Sequence, residues 1–422
     1  MRFTSYFELI SRQPRLIGFG FAMALVSSFG QTYFVGIFGP EIQNEFNLSH
    51  TYWGTIYMVG TLASAALVPW TGSLIDRFSL QRYTLAVVVL LTIASVFISL
   101  TVGVLTLIIA IFLLRQSGQS LAMHISFTTM SRYFEADRGR AISLASMGAT
   151  AGGALLPLAA VLGIAVVGWR WTYVGAAIVS GCFALPLILW LLKGQNQRHR
   201  AHLETLATMA SDPSGKNRSW NRREVLRDRR FYLLLPGFVA TDVIVTAMFF
   251  HHINLADAKG WSHAWVTGNY VIYSLVALVV TLWAGALIDR VRAAKLAPFV
   301  LLPIAAALLI PAFWDAPWTV VLYMILLGVN SGLAYPTMVA LWPELYGVRH
   351  IGAVRSLAKP IALFGSALGP VIMGGLMDLG VSIEAVCLLF SGYCLLGTVS
   401  VFFAVRERPA ALPKEQTPPH PP

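Results

Sequence analysis

The sequence predicts an all-α membrane protein whose twelve transmembrane helices form two pseudo-symmetric six-helix bundles. Its composition, its long apolar runs and an internal repeat support this fold class. Of the 422 residues, 57% are hydrophobic and 12% are charged, and the mean hydropathy is +0.69. Because soluble proteins contain about 25% charged residues, this chain has too few charges to cover a water-exposed surface.

Long apolar runs account for most of the chain. A run of about 20 residues can cross a bilayer as a helix, whereas an outer-membrane barrel needs alternating segments of about ten residues, which do not occur here. The runs are residues 16–39, 52–75, 83–102, 105–130, 141–167, 172–192, 231–254, 264–288, 296–314, 317–342, 351–377 and 381–405. These twelve runs predict twelve helical spans.

The net charge of +11 comes from basic residues in alternate loops. The loops on one side and both termini contain, besides the middle loop, Arg2, Arg12, Arg15, Arg77, Arg82, Arg132, Arg138, Arg140, Lys193, Arg290, Arg292, Lys295, Arg349, Arg406, Arg408 and Lys414. The opposite loops contain only Arg170 and Lys259. Basic loops stay in the cytoplasm, so we expect an integral plasma (inner) membrane protein with both termini cytoplasmic. Topology therefore explains the basicity, and we expect no nucleic-acid partner.

A basic segment divides the spans into six and six. We expect an N-terminal bundle over residues 1–192, a cytoplasmic linker over 193–230 and a C-terminal bundle over 231–405. Residues 406–422 are rich in proline and predict a disordered cytoplasmic tail.

The two bundles contain an internal repeat. Residues 72–77 (GSLIDR) recur 213 positions later as residues 285–290 (GALIDR), and Pro157 recurs as Pro370 at the same offset. A shared offset for different residue types indicates duplication. Two-half bundles of this kind bind substrate between the halves, near the middle of the membrane.

The repeated segment resembles the signature of the major facilitator superfamily, which places a glycine, an aspartate and an arginine between the second and third spans. The resemblance implies a transporter with charged clusters at a cytoplasmic gate that form in one state and separate in the other. The candidate gate residues are Asp76, Arg77, Glu135, Arg140, Asp289, Arg290, Glu344 and Arg349. The alternative is that these residues only anchor helix ends at the lipid headgroups.

Three ionisable residues lie near the middle of predicted spans: Arg115, Asp242 and Lys359. Charges at this depth are costly and usually face a cavity or a partner. Two cations and one carboxylate predict a chamber that binds an anion, with Asp242 as a candidate proton site. The alternative is a structural triad that never contacts substrate.

The eleventh span resembles the branch that contains oxalate/formate antiporters and monocarboxylate transporters. The resemblance rests on Lys359, on the Pro360 that follows it, and on the glycines and proline at Gly365, Gly369, Pro370, Gly374 and Gly375. It implies that Lys359 binds a small carboxylate. The sequence departs from this branch in the eighth span, which contains no Lys or Arg.

Other polar residues are candidates for weaker roles. Tyr33, His124 and Asn330 could donate hydrogen bonds to a carboxylate, although bonds between helices are an alternative for each. His251 and His252 end the seventh span and could relay protons, or simply lie at the interface.

We therefore expect a secondary transporter that moves a small mono- or dicarboxylate by alternating access, coupled to protons or to exchange with another anion. We expect it to be a monomer in the lipid bilayer, not an enzyme, and to need no cofactor or metal. The three cysteines, for example, lack metal-ligand spacing. The alternatives are a proton-driven exporter of hydrophobic or cationic compounds and a receptor that binds ligand without transporting it.

Overall fold

The computed structural model describes residues 4–134, 138–193, 222–346 and 351–406, and these ranges contain helices and turns but no strand. The predicted linker and tail fall largely outside these ranges. So do the side chains at a few helical positions, among them 76, 289 and 351–360. The predicted all-α fold is confirmed.

The N-terminal half supplies the first six spans. The first span is bent, and the fourth and sixth contain a π-helical turn. Its helices are Pro14–Val26, Thr32–Val35, Gly39–Phe46, His50–Ser73, Leu80–Ser99, Val104–Leu114, Met123–Tyr133, Arg138–Ile178 and Leu185–Leu191, with π turns over Arg115–Ala122 and Val179–Ala184. A short helix, Thr4–Arg12, precedes them.

The C-terminal half supplies the other six spans. Its helices are Arg222–Arg227, Arg229–Phe250, His252–Lys259, His263–Gly268, Tyr270–Val291, Ala293–Leu296, Leu302–Phe313, Thr319–Tyr346, Ile351–Asp378 and Ile383–Arg406.

Nine helices in the described part of the chain are long and apolar enough to cross a membrane. One of them, Arg140–Leu191, is 52 residues long and contains a break at Gly168, where φ is 80°, so it supplies both the fifth and the sixth span. The first span adds a pair of helices bent by 44°, and His50–Ser73 is the second span. The twelve predicted spans are thus all present as helices.

Two helix breaks meet in the N-terminal half. The first span passes through a 3₁₀ turn, Ser27–Gly30, and an extended residue, Gln31. It does so where it crosses the π turn of the fourth span. A Cβ atom on Gly30 would lie 2.2 Å from the carbonyl oxygen of Leu114, and one on Gly118 would lie 2.7 Å from the Cα of Gly30. Only glycine permits this close backbone approach.

Each half has its own apolar core, and the halves pack mainly through the second span against the eleventh and the fifth against the eighth. We call the face where the first span begins and the twelfth ends the terminal face. The opposite face, which contains His50, Gly168, Lys259 and Asp378, is the distal face.

Candidate substrate cavity and gates

A cavity of about 560 Å³ lies in the C-terminal half, between the seventh, tenth and eleventh spans. It is lined by Phe238, Thr241, Asp242, Val245, Thr246, Ser331, Ala334, Tyr335, Met338, Val339, Trp342 and Ala362. Its size falls in the range of about 300–1,000 Å³ that is usual for small-molecule sites. Aromatic rings and one carboxylate therefore face the same space.

Asp242 is the only charged side chain among these lining residues. It is partly buried, and within the described residues it forms no hydrogen bond or ion pair. A carboxylate at the middle of a span is costly, and such groups normally serve a proton, an ion or a substrate.

Arg115 lies at the start of the π turn and is completely buried. Its Nη1 donates to the carbonyl oxygen of Gly30 at 3.1 Å and to Oγ1 of Thr32 at 3.3 Å. Its guanidinium carbon lies 4.9 Å from the ring centroid of Tyr57. Nε and Nη2 have no hydrogen-bond partner among the described residues. The guanidinium can therefore still donate to an anion.

The structure places the three predicted charges differently. Asp242 lines the cavity, Arg115 is enclosed in the N-terminal half, and no ion pair joins them within the described residues. Lys359 belongs to the helix Ile351–Asp378, but its side chain lies outside the description. The single chamber for all three stays a prediction.

The weaker candidates lie on three different helices. The hydroxyl of Tyr33 donates to Oγ of Ser28 at 2.9 Å, and its ring packs against the cores of both halves. Asn330 is fully buried, and its Nδ2 donates to the carbonyl oxygen of Val300 at 2.9 Å, which joins two helices.

The third weaker candidate, His124, is partly buried in the fourth span, next to Gly72: a Cβ atom on Gly72 would lie 3.7 Å from Nε2 of His124. None of these three residues lines the cavity described above.

In the C-terminal gate set, Glu344 crosses from the tenth span to the start of the ninth. Its Oε2 accepts hydrogen bonds from the backbone N–H groups of Ala293 at 2.9 Å and Ala294 at 3.4 Å. Its Oε1 lies 2.9 Å from Nε of Arg292. Arg292 has a φ of 77°, an uncommon conformation for a residue with a side chain. A carboxylate is stabilised at a helix N-terminus, so this contact stabilises the turn between the eighth and ninth spans.

Arg292 is the partner that the predicted gate set did not include. Its position two residues after the repeated segment, which ends at Arg290, is the sequence signal that could have identified it. Of the other members, the side chain of Arg290 is exposed, whereas Arg349 and the side chain of Asp289 lie outside the described residues.

In the N-terminal gate set, Arg77 and Arg140 are exposed. Glu135 and the side chain of Asp76 lie outside the described residues, so the predicted N-terminal cluster stays a prediction.

The distal face joins the halves through residues far apart in sequence. Asp378, at the end of the eleventh span, accepts hydrogen bonds from the backbone N–H groups of His50 at 3.1 Å and Thr51 at 2.7 Å. The ring of Phe250 contacts Trp53 and Tyr57, with centroids 5.4 and 4.6 Å apart. The cavity on the seventh span, from Phe238 to Thr246, thus lies on the terminal side of a closed distal face.

A sequence profile identifies the family. The profile described as Major Facilitator Superfamily matches residues 20–362 and 272–422, and together these matches cover most of the chain. The chain belongs to the major facilitator superfamily. This major facilitator is therefore an integral membrane transporter and not an enzyme.

Solved structures show the same fold. A bacterial homologue of the human lysosomal transporter Spinster, inward-facing and unoccupied, is 18% identical, with a TM-score of 0.67 over 94% of this chain and 99% of that chain. In its inward-facing, occupied conformation the TM-score is 0.63, with 17% identity over 95% and 98%. A variant of the nucleoside transporter NupG has a TM-score of 0.68 and 11% identity over 93% and 100%. No curated protein matches this major facilitator in sequence.

Proposed function

We propose that this protein is a secondary transporter of a small organic anion, a mono- or dicarboxylate, which it moves by alternating access with proton coupling or anion exchange. The observation that supports this proposal is the environment of Arg115: a fully buried guanidinium with two donor nitrogens unused and no carboxylate partner among the described residues.

A buried cation without a counter-ion is destabilising unless something else supplies the negative charge. The carbonyl of Gly30, the hydroxyl of Thr32 and the ring of Tyr57 offset part of this cost. A bound carboxylate would supply the rest, since guanidinium binds carboxylate through two parallel hydrogen bonds. The broken first span beside it is typical of transporter sites, where unwound backbone contacts the ligand.

Lys359 and Asp242 complete the proposal. Position 359 is three residues, just under one helical turn, before Ala362, which lines the cavity, and this spacing supports a role for Lys359 at the cavity. Lys359 would attract the anion, and Asp242 would take up a proton so that its charge does not repel the cargo. Tyr33, Asn330 and His124 would support the site through hydrogen bonds.

We further propose that the terminal face is cytoplasmic, that the membrane is the plasma membrane and that the protein is a monomer. The Lys and Arg distribution supports the cytoplasmic placement of the terminal face, because basic loops stay inside. Each half completes its own core within one chain, which supports the third.

A second candidate is export of hydrophobic or cationic compounds in exchange for protons. The observation that favours it is the cavity itself, where Asp242 faces Phe238, Tyr335 and Trp342. A carboxylate among aromatic rings suits an organic cation, which the ring faces also attract.

Transport in reconstituted liposomes tests both candidates. We would measure the uptake of three compounds of similar shape and different charge, namely benzoate, benzamide and benzylamine, with and without a pH gradient. The first proposal expects the acid alone to be moved, and expects Arg115→Gln and Lys359→Ala to reduce its uptake at least tenfold. Arg406→Gln, at the exposed end of the twelfth span, is the matched control and keeps wild-type uptake.

Uptake of benzylamine with loss in Asp242→Asn would instead establish the second candidate. Unchanged acid uptake in both Arg115→Gln and Lys359→Ala would refute the first. Arg115→Lys, which keeps the charge, separates loss of anion binding from misfolding.

A further inference from the structure

One carboxylate holds the closed distal face: Asp378, at the end of the eleventh span, accepts hydrogen bonds from the first N–H groups of the long helix His50–Ser73. Asp378 belongs to the C-terminal half, whereas the N–H groups that it binds begin the second span of the N-terminal half. The hydroxyl of Thr51 also donates to it, at 2.5 Å. A Cβ atom on Gly374 would lie 2.6 Å from the carbonyl oxygen of His50, so the two helices touch here without side chains between them. Because the two helices belong to different halves, separation of the halves at this face would break the contact.

A histidine from each half lies in the same seam. His251 follows the seventh span and is fully buried, and its Nε2 lies 2.9 Å from the carbonyl oxygen of Pro370. A carbonyl only accepts, so Nε2 carries the hydrogen and donates. The ring of His50 lies 6.0 Å from that of His251, centroid to centroid, and its Nδ1 is 2.9 Å from Nε2 of Gln43.

The polar and titratable groups described around His251 come from three parts of the chain. The second span supplies His50, the eleventh supplies Asp378 and the carbonyl of Pro370, and the chain after the seventh supplies Asn254, whose Oδ1 is 3.4 Å from Nδ1 of His251. His252 points elsewhere, into the C-terminal core, where its Nδ1 lies 2.8 Å from the hydroxyl of Tyr270.

Closure therefore disfavours the second proton that would make the His251 ring positively charged. Burial lowers the pKa of His251 to about 4, and His50 lowers it further, although Pro370, Asn254 and Asp378 act in the opposite direction. In a separated, hydrated seam the ring would return to its ordinary pKa of about 6.5. Between these values the open state binds more protons than the closed state, so lowering the pH stabilises the open state.

We propose that His50, His251 and Asp378 form a lock that holds the distal face closed near neutral pH and that acidification of that face releases. The lock lies apart from the cavity and does not depend on the identity or charge of the cargo. Acid on the distal side would thus shift the protein toward the state that opens to that side.

Distances across the distal face test this lock in the full chain. Spin labels at Asn44→Cys and Ala258→Cys, both exposed on this face, would be measured in lipid nanodiscs with the exposed Cys182 replaced by Ser. Between pH 7.5 and pH 5 we expect the ratio of long to short distances to rise on the order of tenfold, with a midpoint between about 4 and 6.5. An unchanged distribution in the wild-type protein would overturn the proposal without any further variant.

Three substitutions then assign the response. His251→Gln keeps a donor for Pro370 but cannot titrate, so we expect a closed face at both pH values. His263→Gln is the matched control, because His263 is also on the distal face but pairs with Asp257 within its own half, at 2.6 Å. Asp378→Asn should raise the open fraction at both pH values and keep the pH response. A full response in His251→Gln, or its loss in His263→Gln, would refute the assignment.

Discussion

Each half has an acid–base pair at the equivalent position of the distal face, which we call its brace. The acid and the base occupy opposite positions in the two braces. In the N-terminal half, Arg170 at the start of the sixth span pairs with Glu45 at the end of the first, at 2.5 Å. In the C-terminal half, Lys259 pairs with Glu384 at 2.7 Å. Lys259 lies 214 positions after Glu45, and Glu384 lies 214 positions after Arg170. The acid and the base have therefore exchanged places between the repeats.

The third participant also corresponds. Arg170 donates to the carbonyl oxygen of Thr101 at 2.8 Å, and the residue 214 positions later, Asp315, binds Lys259 through its carboxylate at 2.6 Å. Thus the duplication preserved a three-point brace at one position of the fold, while the polarity and even the chemical type of its members changed. A search for identical residues cannot find such a relationship.

The two braces also explain why basic residues occur in the loops of the distal face, where the rule that basic loops stay in the cytoplasm predicts few of them. Arg170 and Lys259 were the only basic residues predicted in the loops of this face. Arg170 is bound to Glu45 and to two backbone carbonyl oxygens, and Lys259 is bound to two carboxylates, all within the same half as the base. The charge of each base is therefore already used inside its own half.

The largest effect is expected from Arg170→Met. Besides the pair with Glu45, this change removes the donors to the carbonyl oxygens of Ser99 and Thr101, two buried residues. Unpaired buried acceptors cost about 1–3 kcal/mol each, so we expect the free energy of unfolding to fall by about 2–4 kcal/mol. Thermal unfolding in detergent measures this. Arg12→Met, at an exposed site, is the control, and an equal midpoint in both would contradict the prediction.

Lys259→Met should have a smaller effect. Its own side chain is only 3% exposed, but the partners that it leaves behind are 78% exposed at Asp315 and 38% at Glu384, so water can solvate them. We expect a loss of about 1–2 kcal/mol, because hydrated carboxylates do not remain unsatisfied. A loss larger than that of Arg170→Met, measured in the same way, would reverse this ranking.

Alkaline pH should distinguish the two braces without mutation. Burial acts to lower the pKa of Lys259, but Asp315 and Glu384 outweigh it and raise the pKa above its ordinary value. A raised pKa means that the stabilisation is complete below the ordinary lysine pKa and is lost as the pH rises through the folded value. Arginine stays charged throughout. Unfolding midpoints should therefore fall at high pH more in the wild type than in Lys259→Met. An equal fall of the unfolding midpoint with pH in the two proteins would contradict this role of Lys259.

The smallest effect is the coupling within the N-terminal brace. Glu45→Lys places two cations together, and adding Arg170→Glu reproduces the polarity of the other half. The pair is partly exposed, at 33% and 40%, so we expect the double variant to recover only about 0.5–1 kcal/mol of the summed losses. A double-mutant cycle on unfolding free energies gives this value, and no recovery would mean that geometry, rather than charge, has diverged.

Local patterns predicted the architecture because each span carries its own signal of length and apolarity. Asp242 could likewise be located from sequence, since a carboxylate within an apolar run has few structural explanations. The break at Gln31 and the π turn at Arg115 could not be predicted, because they come together only in the folded bundle and neither has a local sequence pattern. Asp378 was missed for a related reason: its partner, Thr51, is 327 positions away.

The bend in the first span has a consequence for how the ends of the molecule communicate. Its distal part touches the other half at Gly36, where a Cβ atom would lie 2.7 Å from the carbonyl oxygen of Phe249. Its break presents the carbonyl of Gly30 to Arg115. A tilt of this short segment as the two bundles separate would withdraw that oxygen and leave the buried guanidinium with one of its two oxygen acceptors.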